Sequence, residues 1–402
     1  MALQTAVDLV VGVELMKTAI VTSARIFSEE NKYYIDNGVN IVVKRYQRYF
    51  GDITVFGMDG SDKGKLPSTV SMLSVEAVIL GSRNDLLLGK EKQLLEKEIP
   101  KYDLIILRVP SNTCDRAAKI ARKHGIPYFV EVIGDAFDSL WYHSLKAKPF
   151  AFGSYFRTKK TIYNADYALY VSQHFLQNKY PCKNPSVGVS DCAINSPTEE
   201  LIEKRIDYFL NKDYSNITIM NAAAIDVKYK GQEYVIRAIP LLNKAGVHVR
   251  FLVVGNGDKA YLASVAKEAG VSDQVVFCGG VPHEKVMKLL DESEFYVQPS
   301  LTEAFGRSIV EGLSRGCVCI GNRVGGITEL IEDRFLVMPR NPQEICDKIM
   351  LFIKMNPEEK KETIKRSFEH SKEYTADKLD AKRDTYYKKV LKEIEGKANG
   401  KR

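Results

Sequence analysis

Short runs of Val, Ile and Leu recur along the chain, and each is followed by a segment whose apolar residues return every three or four positions. The first series reads KTAIVTSA (17–24), DITVFG (52–57), VEAVIL (75–80), DLIILRV (103–109), PYFVEVIG (127–134) and YALYVS (167–172). The second reads ITIMNAAA (217–224), VRFLVVG (249–255), QVVFCGG (274–280), FYVQPS (295–300), VCIGNRVGG (318–326) and FLVMP (335–339). Near-continuous apolar strands alternating with amphipathic helices are what a parallel sheet covered on both faces requires. The pattern predicts an α/β protein with two doubly wound, Rossmann-like parallel-sheet domains.

The length of 402 residues agrees, since a single core stops growing at about 250–300. The Pro-, Ser- and Asn-rich stretch PCKNPSVGVSDCAINSPTEE (181–200) reads as the linker. We therefore expect a first domain over 1–190, a second over 191–375 and a closing helix over 376–402. On that helix Tyr387, Val390, Leu391 and Ile394 form one apolar stripe, which needs a surface to cover, and the first domain can supply it. Another helix is expected from Glu233 to Lys244, stopped by Gly246. The fold is expected to begin at Met16-Lys17, because the mildly apolar stretch from Val7 is broken by Gly12 and Glu14 and reads as a leader.

Composition narrows the class without changing the picture. Apolar residues make up 45% and charged residues 27%, as in soluble globular proteins. Seven cysteines without a C-x-x-C pair point to reduced thiols and a cytoplasmic location. No apolar run approaches the ~18 residues that span a bilayer. The net charge of +7 is uneven: between Ser139 and Ala165 lie Lys146, Lys148, Arg157, Lys159 and Lys160 and no acid, interleaved with seven aromatic residues. Either the aromatics are core and the lysines solvated, or segment 139–165 makes peripheral contact with an anionic membrane surface. Nucleic acid is not an expected partner, because no recognised binding module accompanies the patch.

The chemistry concentrates in LTEAFGRSIVEG, from Leu301 to Gly312. In an open α/β sheet ligands bind beyond the carboxyl ends of the strands, and Gly306 follows the strand 295–300 directly. A helix from Gly306 would aim backbone N–H groups near Gly306, Arg307 and Ser308 at the crevice, an arrangement that attracts phosphate. Glu303 precedes that helix and Glu311 projects from it, so a ligand with hydroxyls at both ends and phosphate in the middle fits between them. Other strand ends carry phosphate-compatible residues: Lys228, Lys230 and Gly231; Gly255 and Gly257; Gly325 and Gly326. The pattern Gly255-x-Gly257-x-x-Ala260 also matches a dinucleotide fingerprint. The next strand nevertheless ends in Cys278-Gly279-Gly280 instead of a ribose-binding acid, and the first domain's opening turn from Thr22 to Phe27 has no glycine.

With these residues placed, the second half of the chain resembles the C-terminal domain of retaining glycosyltransferases of the GT-B fold, specifically glycosyltransferase family four. The matching features are Lys230-Gly231, Gly255-Asn256-Gly257, F-C-G-G-V (277–281), E-A-F-G-R-S-I-V-E (303–311) and V-G-G-I-T-E-L (324–330). The resemblance implies a nucleoside-diphosphate sugar as donor, a saccharide or lipid-linked acceptor held by the first domain, and transfer with retention. It implies that Lys230 stabilises the diphosphate leaving group. Glu303 would bind donor-sugar hydroxyls, with help from the backbone at Phe305, Gly306 and Arg307. Glu311 would hold the ribose and Val281 would lie beside the base. No D-x-D occurs in the chain, so neither metal nor cofactor is expected, and lysine with the helix end must do a cation's work. A role in surface polysaccharide or glycoconjugate assembly, at the inner face of the membrane, would follow.

Two departures qualify the match. The family's arginine five residues before the lysine is replaced in Ala222-Ala223-Ala224-Ile225-Asp226, so that either Lys228 substitutes for it or phosphate binding is weaker. Its first-domain histidine is missing from EVIGDAF (131–137), where Asp135 is either the polar group near the reacting sugar or a helix N-cap. A sugar-nucleotide epimerase of the same architecture and a non-catalytic sugar-nucleotide-binding protein are the alternatives.

Overall fold

A computed structural model describes residues 16–399 apart from 62, 63, 65, 68, 83, 84 and 86–88. The expected leader lies outside the described residues. The first sheet contains β1 (Lys17–Glu29), β2 (Lys32–Asp36), β3 (Asp52–Asp59), β4 (Val70–Met72), β5 (Glu76–Ile79), β6 (Leu104–Val109), β7 (Tyr128–Val132), β8 (Tyr167–Tyr170) and β9 (Ser186–Gly188). Its parallel part runs β5-β3-β1-β6-β7-β8-β9. The second sheet holds β10 (Asn216–Ala222), β11 (His248–Val254), β12 (Val275–Gly279), β13 (Phe295–Gln298), β14 (Val318–Asn322) and β15 (Leu336–Val337), in the order β12-β11-β10-β13-β14-β15.

Both orders are the doubly wound one, in which the chain reverses direction beside the first strand and leaves a crevice there. In the first sheet the switch lies between β1 and β6, in the second between β10 and β13. All twelve apolar runs form strands of these sheets. The central strands are buried on both faces, which is why LIILRV and FYVQ read as unbroken apolar runs.

Three strands were not predicted. β1 continues past a register shift between Val21 and Arg25 and pairs antiparallel with β2, which pairs with β4. β9 lies inside the stretch expected to be linker and closes the first sheet's edge. The crossing therefore begins after β9, and it is made by two strands of chain: Ile194 N–H donates to Tyr374 O and Ala376 N–H to Ile194 O, at 3.0 and 3.1 Å.

The last helix, Ala376–Asn399, returns to the first domain. Tyr387 is fully buried there, with ring centroids 5.5 Å from Tyr46, 5.4 Å from Phe50 and 6.1 Å from Phe129. Tyr386 hydroxyl donates to Pro185 O and accepts from Ala168 N–H, so this helix also fixes the end of the sheet nearest the crossing. No helix among the described residues is long and apolar enough to cross a membrane.

Candidate functional site at the domain cleft

The predicted residues of the second domain lie in the loops at the carboxyl ends of β10 to β14 or on the helix that follows β13. The loop after β10 forms a single tight turn, Lys228–Lys230, which lies against the loop after β13 because Leu301 N–H donates to Tyr229 O at 2.7 Å. Gly231 makes that approach feasible: a Cβ there would stand 2.1 Å from Pro299 O. The result is that Lys230 Nζ meets Glu303 Oε2 at 2.8 Å, with both side chains about one-fifth exposed.

Beneath the pair runs a buried polar chain. Tyr296 hydroxyl donates to Gln298 Oε1, Gln298 Nε2 donates to Ser300 Oγ, both at 2.7 Å, and Ser300 Oγ lies 3.5 Å from Glu303 Oε2. Asn322 Nδ2 donates to the carbonyls of Pro299 and Ser300, and Asn221 Nδ2 to that of Val297. Buried amides of this kind fix a loop's backbone, since leaving those carbonyls unpaired would cost about 1–3 kcal/mol each.

The helix Arg307–Ser314 starts four residues after Glu303. Its N-cap, Gly306, sits at φ 106° and no side chain caps the helix, so its positive end opens on the loop that carries Glu303. Ser308 hydroxyl stays within 3.4 Å of Gln298 Oε1, Arg307 is exposed, and the Phe305 side chain packs inward on Tyr374 at 5.3 Å. One and a half turns on from Gly306, Glu311 Oε1 lies 3.2 Å from Nε2 of His283, which stands two residues after the half-buried Val281. Sequence reasoning missed His283; its place just after Phe277–Val281 was the available signal.

Four predicted residues, Lys228 and three glycines, face other groups than expected. Lys228 turns away from Glu303, its ammonium 4.4 Å above the Tyr261 ring. The side-chain spaces at Gly255, Gly325 and Gly326 are filled by neighbouring loops: a Cβ would stand 1.9 Å from Ala223 O, 2.0 Å from Glu303 O and 2.4 Å from Ala304 O, respectively. Gly326 N–H donates to Glu303 O at 2.9 Å, so this glycine pair supports the Glu303 loop from behind.

Asp135 is the N-cap of the helix Ala136–Trp141. Its Oδ1 accepts from Phe137 N–H at 2.9 Å, Asp138 N–H at 3.1 Å and the Tyr180 hydroxyl at 2.7 Å. The Lys179 ammonium lies against Oδ2, which has no hydrogen bond of good angle. With its oxygens so engaged and 6% of the residue exposed, Asp135 has the helix N-cap position, one of the two roles expected of it, and so serves the framework of the first domain. The acid that faces the second domain is Asp138, which sequence reasoning passed over. Its Oδ2 accepts from Thr302 Oγ1 at 2.6 Å, next door to Glu303, and burial raises its pKa from the ordinary value.

A second bridge across the cleft comes from the other side. Glu329, at the end of the Gly325–Glu329 turn, accepts from Gln173 N–H at 2.6 Å, Phe175 N–H at 2.5 Å and His174 N–H at 3.1 Å. The Glu303 loop is therefore gripped on one side by Asp138 and braced on the other by the turn that Glu329 anchors. Elsewhere a hollow of about 450 Å³ lies between the helices Arg307–Ser314 and Pro357–Ser371 and reaches neither Lys230 nor Glu303.

Residues 202–370 match the family model of glycosyl transferases group 1. Protein CapJ of Staphylococcus aureus is 28% identical over 317 residues, 77% of this chain and 78% of that protein. The gpi3 subunit of the phosphatidylinositol N-acetylglucosaminyltransferase of Schizosaccharomyces pombe is 31% identical over 135 residues, but the match spans 33% of this chain and only 29% of that relative. Among solved structures, HepE of Anabaena in complex with UDP superposes with a TM-score of 0.65 at 16% identity, covering 94% of this chain and all of that one. Sucrose-phosphate synthase of Thermosynechococcus elongatus gives 0.65 at 15%, covering 94% and 99%. The fold is GT-B, and the family match supports a glycosyltransferase.

Proposed function

We propose that this GT-B chain, with its glycosyl transferases group 1 match over the second domain, moves a sugar from a nucleoside-diphosphate donor to a saccharide or lipid-linked acceptor, with retention at the anomeric carbon and without a metal. The observation that carries the reading is the Lys230–Glu303 pair at the mouth of an uncapped helix start. A partly exposed ion pair contributes only about 0–1 kcal/mol, so a diphosphate can readily take the ammonium from Glu303. The freed carboxylate then accepts hydroxyls of the transferred sugar.

Breaking the bond between anomeric carbon and phosphate leaves negative charge on the diphosphate. Preorganised positive charge at that point lowers the barrier, here Lys230 with the amides at Phe305, Gly306 and Arg307. Glu311 binds the ribose and Val281 lies beside the base. Uridine is the first base to try, because HepE structures hold UDP and UDP-glucose. Glycines 255, 325 and 326 shape the loops, while Ser308 sits at the helix start. Asp138 takes the first-domain position near the reacting sugar in place of the absent histidine. A lipid-linked acceptor is supported by the relative named for phosphatidylinositol, and with it a place in surface polysaccharide or glycoconjugate assembly on the cytoplasmic side of the membrane.

The test is incubation with UDP-sugars without acceptor. Slow release of free sugar, initially with the donor's anomeric configuration, is expected. Isomerised nucleotide sugar would make the protein an epimerase, and an unchanged donor despite tight binding would make it a non-catalytic binder.

A further inference from the structure

The helix Lys148–Tyr163 is turned inside out. The face it buries is mostly small and hydroxyl-bearing, with Ala151, Ser154, Thr158 and Thr161, and it anchors to the core through Ile162. The face it shows to water carries Phe152, Phe156 and Tyr163; Phe150, in the first turn and about 140° round the helix from that stripe, is exposed as well, as is Leu145 just before the helix. Phe156 is 64% exposed, Phe150 66% and Leu145 82%, and the three exposed phenylalanines among the described residues all belong to this one helix. Tyr155 packs against the core, but burial there is not what Phe150, Phe152, Phe156 and Tyr163 are for.

Spacing shows how the face is laid out. At about 100° per residue, Phe152, Phe156 and Tyr163 fall on one stripe, Arg157 and Lys160 on one flank and Lys148 and Lys159 on the other. No acid occurs between Ser139 and Ala165. Lys148 Nζ sits 4.8 Å above the half-buried Trp141 ring, and Phe152 packs edge-on against Phe137, so the patch runs continuously to the helix Ala136–Trp141. That helix carries Asp138 and ends beside Tyr142, whose ring is 6.3 Å from Tyr229, the neighbour of Lys230. The patch therefore begins at the mouth of the cleft.

We propose that this face docks on an anionic lipid bilayer, with the phenylalanines in the headgroup–acyl boundary and the surrounding lysines and arginine on lipid phosphates. The chemistry selects the partner. Apolar rings on a segment that carries five bases and no acid suit an anionic interface, whereas a second copy would bring two sets of like charges together. Docking there turns the cleft mouth toward the membrane plane. The proposal goes beyond the transferase reading and does not depend on it, since docking needs neither donor nor acceptor.

Sedimentation of the full chain with phosphatidylcholine vesicles, with and without phosphatidylglycerol, tests it. The wild type is expected to bind only the phosphatidylglycerol vesicles and to be released by salt. Phe150→Ser with Phe156→Ser is expected to weaken that binding at least tenfold, and Lys146→Ala with Lys160→Ala to flatten its salt dependence. Unfolding temperature and nucleoside-diphosphate affinity should be unchanged in both. No binding by the wild type, equal binding to neutral vesicles, or a phenylalanine variant that binds as well would overturn the proposal. So would a concentration-dependent dimer that the phenylalanine variant abolishes, which would make the face a self-interface.

Discussion

Glu329→Ala removes the acceptor of three backbone N–H groups that belong to the other domain. In an opened molecule the carboxylate and the amides are all hydrated, so only the net worth of each bond counts, about 1.5–3 kcal/mol to a charged acceptor. Glu329 is partly exposed and His174 N–H is the longest of the three, so we take about 2–4 kcal/mol for the set. At 1.4 kcal/mol per factor of ten, the ratio of closed to open molecules should fall about 30- to 700-fold. Lys230, Glu303 and Glu311 all sit on the second domain, so nucleoside-diphosphate affinity should change less than about threefold. Turnover needs both domains and should fall with the closed fraction, while Glu329→Gln, which keeps one oxygen acceptor, recovers part of it. Small-angle scattering would show a larger radius of gyration for the alanine variant. If scattering and turnover both match the wild type, the bridge does not hold the cleft and the reasoning fails.

Three further predictions concern single side chains. Glu303→Ala should abolish transfer and leave nucleoside-diphosphate binding largely intact; unchanged turnover would refute its role. Asp135→Ala removes an N-cap that also partners Tyr180 and Lys179, so it should destabilise the fold by more than the ~1 kcal/mol of a cap alone, and a denaturation midpoint at the wild-type value would contradict the framework role. Asp115 accepts from Thr161 Oγ1 at 2.8 Å, and burial pushes its pKa up to about 6. A carboxyl raised in the folded state favours folding while protonated, and that contribution is lost as pH rises through about 6. Asp115→Asn should therefore gain unfolding temperature relative to wild type between pH 4 and pH 7, whereas a constant difference would show that Asp115 does not titrate there.

The strands were legible because parallel strands buried on both faces leave unbroken apolar runs, and β6 and β13 could hardly be read otherwise. The hairpin formed by β2 and β4 was not, since KYYID and VSM are half exposed and carry no such run. The region of the site was legible from Lys230-Gly231 and Glu303–Glu311, which place charge and an open helix start at one sheet edge. What the glycines do was not: a glycine after a strand permits close approach, but the sequence does not say whether a ligand or another loop approaches, and at Gly255 and Gly325 it is a loop. Asp138 and Glu329 were invisible for a different reason. Each is unremarkable locally and gains its meaning from a partner more than 150 positions away, Thr302 in one case and the backbone of 173–175 in the other.

The central claim is that Lys230 holds the diphosphate of a sugar nucleotide beside Glu303. Titration calorimetry of wild type and Lys230→Ala with a nucleoside diphosphate and with the bare nucleoside tests it most directly. The account predicts that the variant loses at least tenfold in diphosphate affinity and nothing for the nucleoside. Equal diphosphate affinity in the two proteins would contradict it.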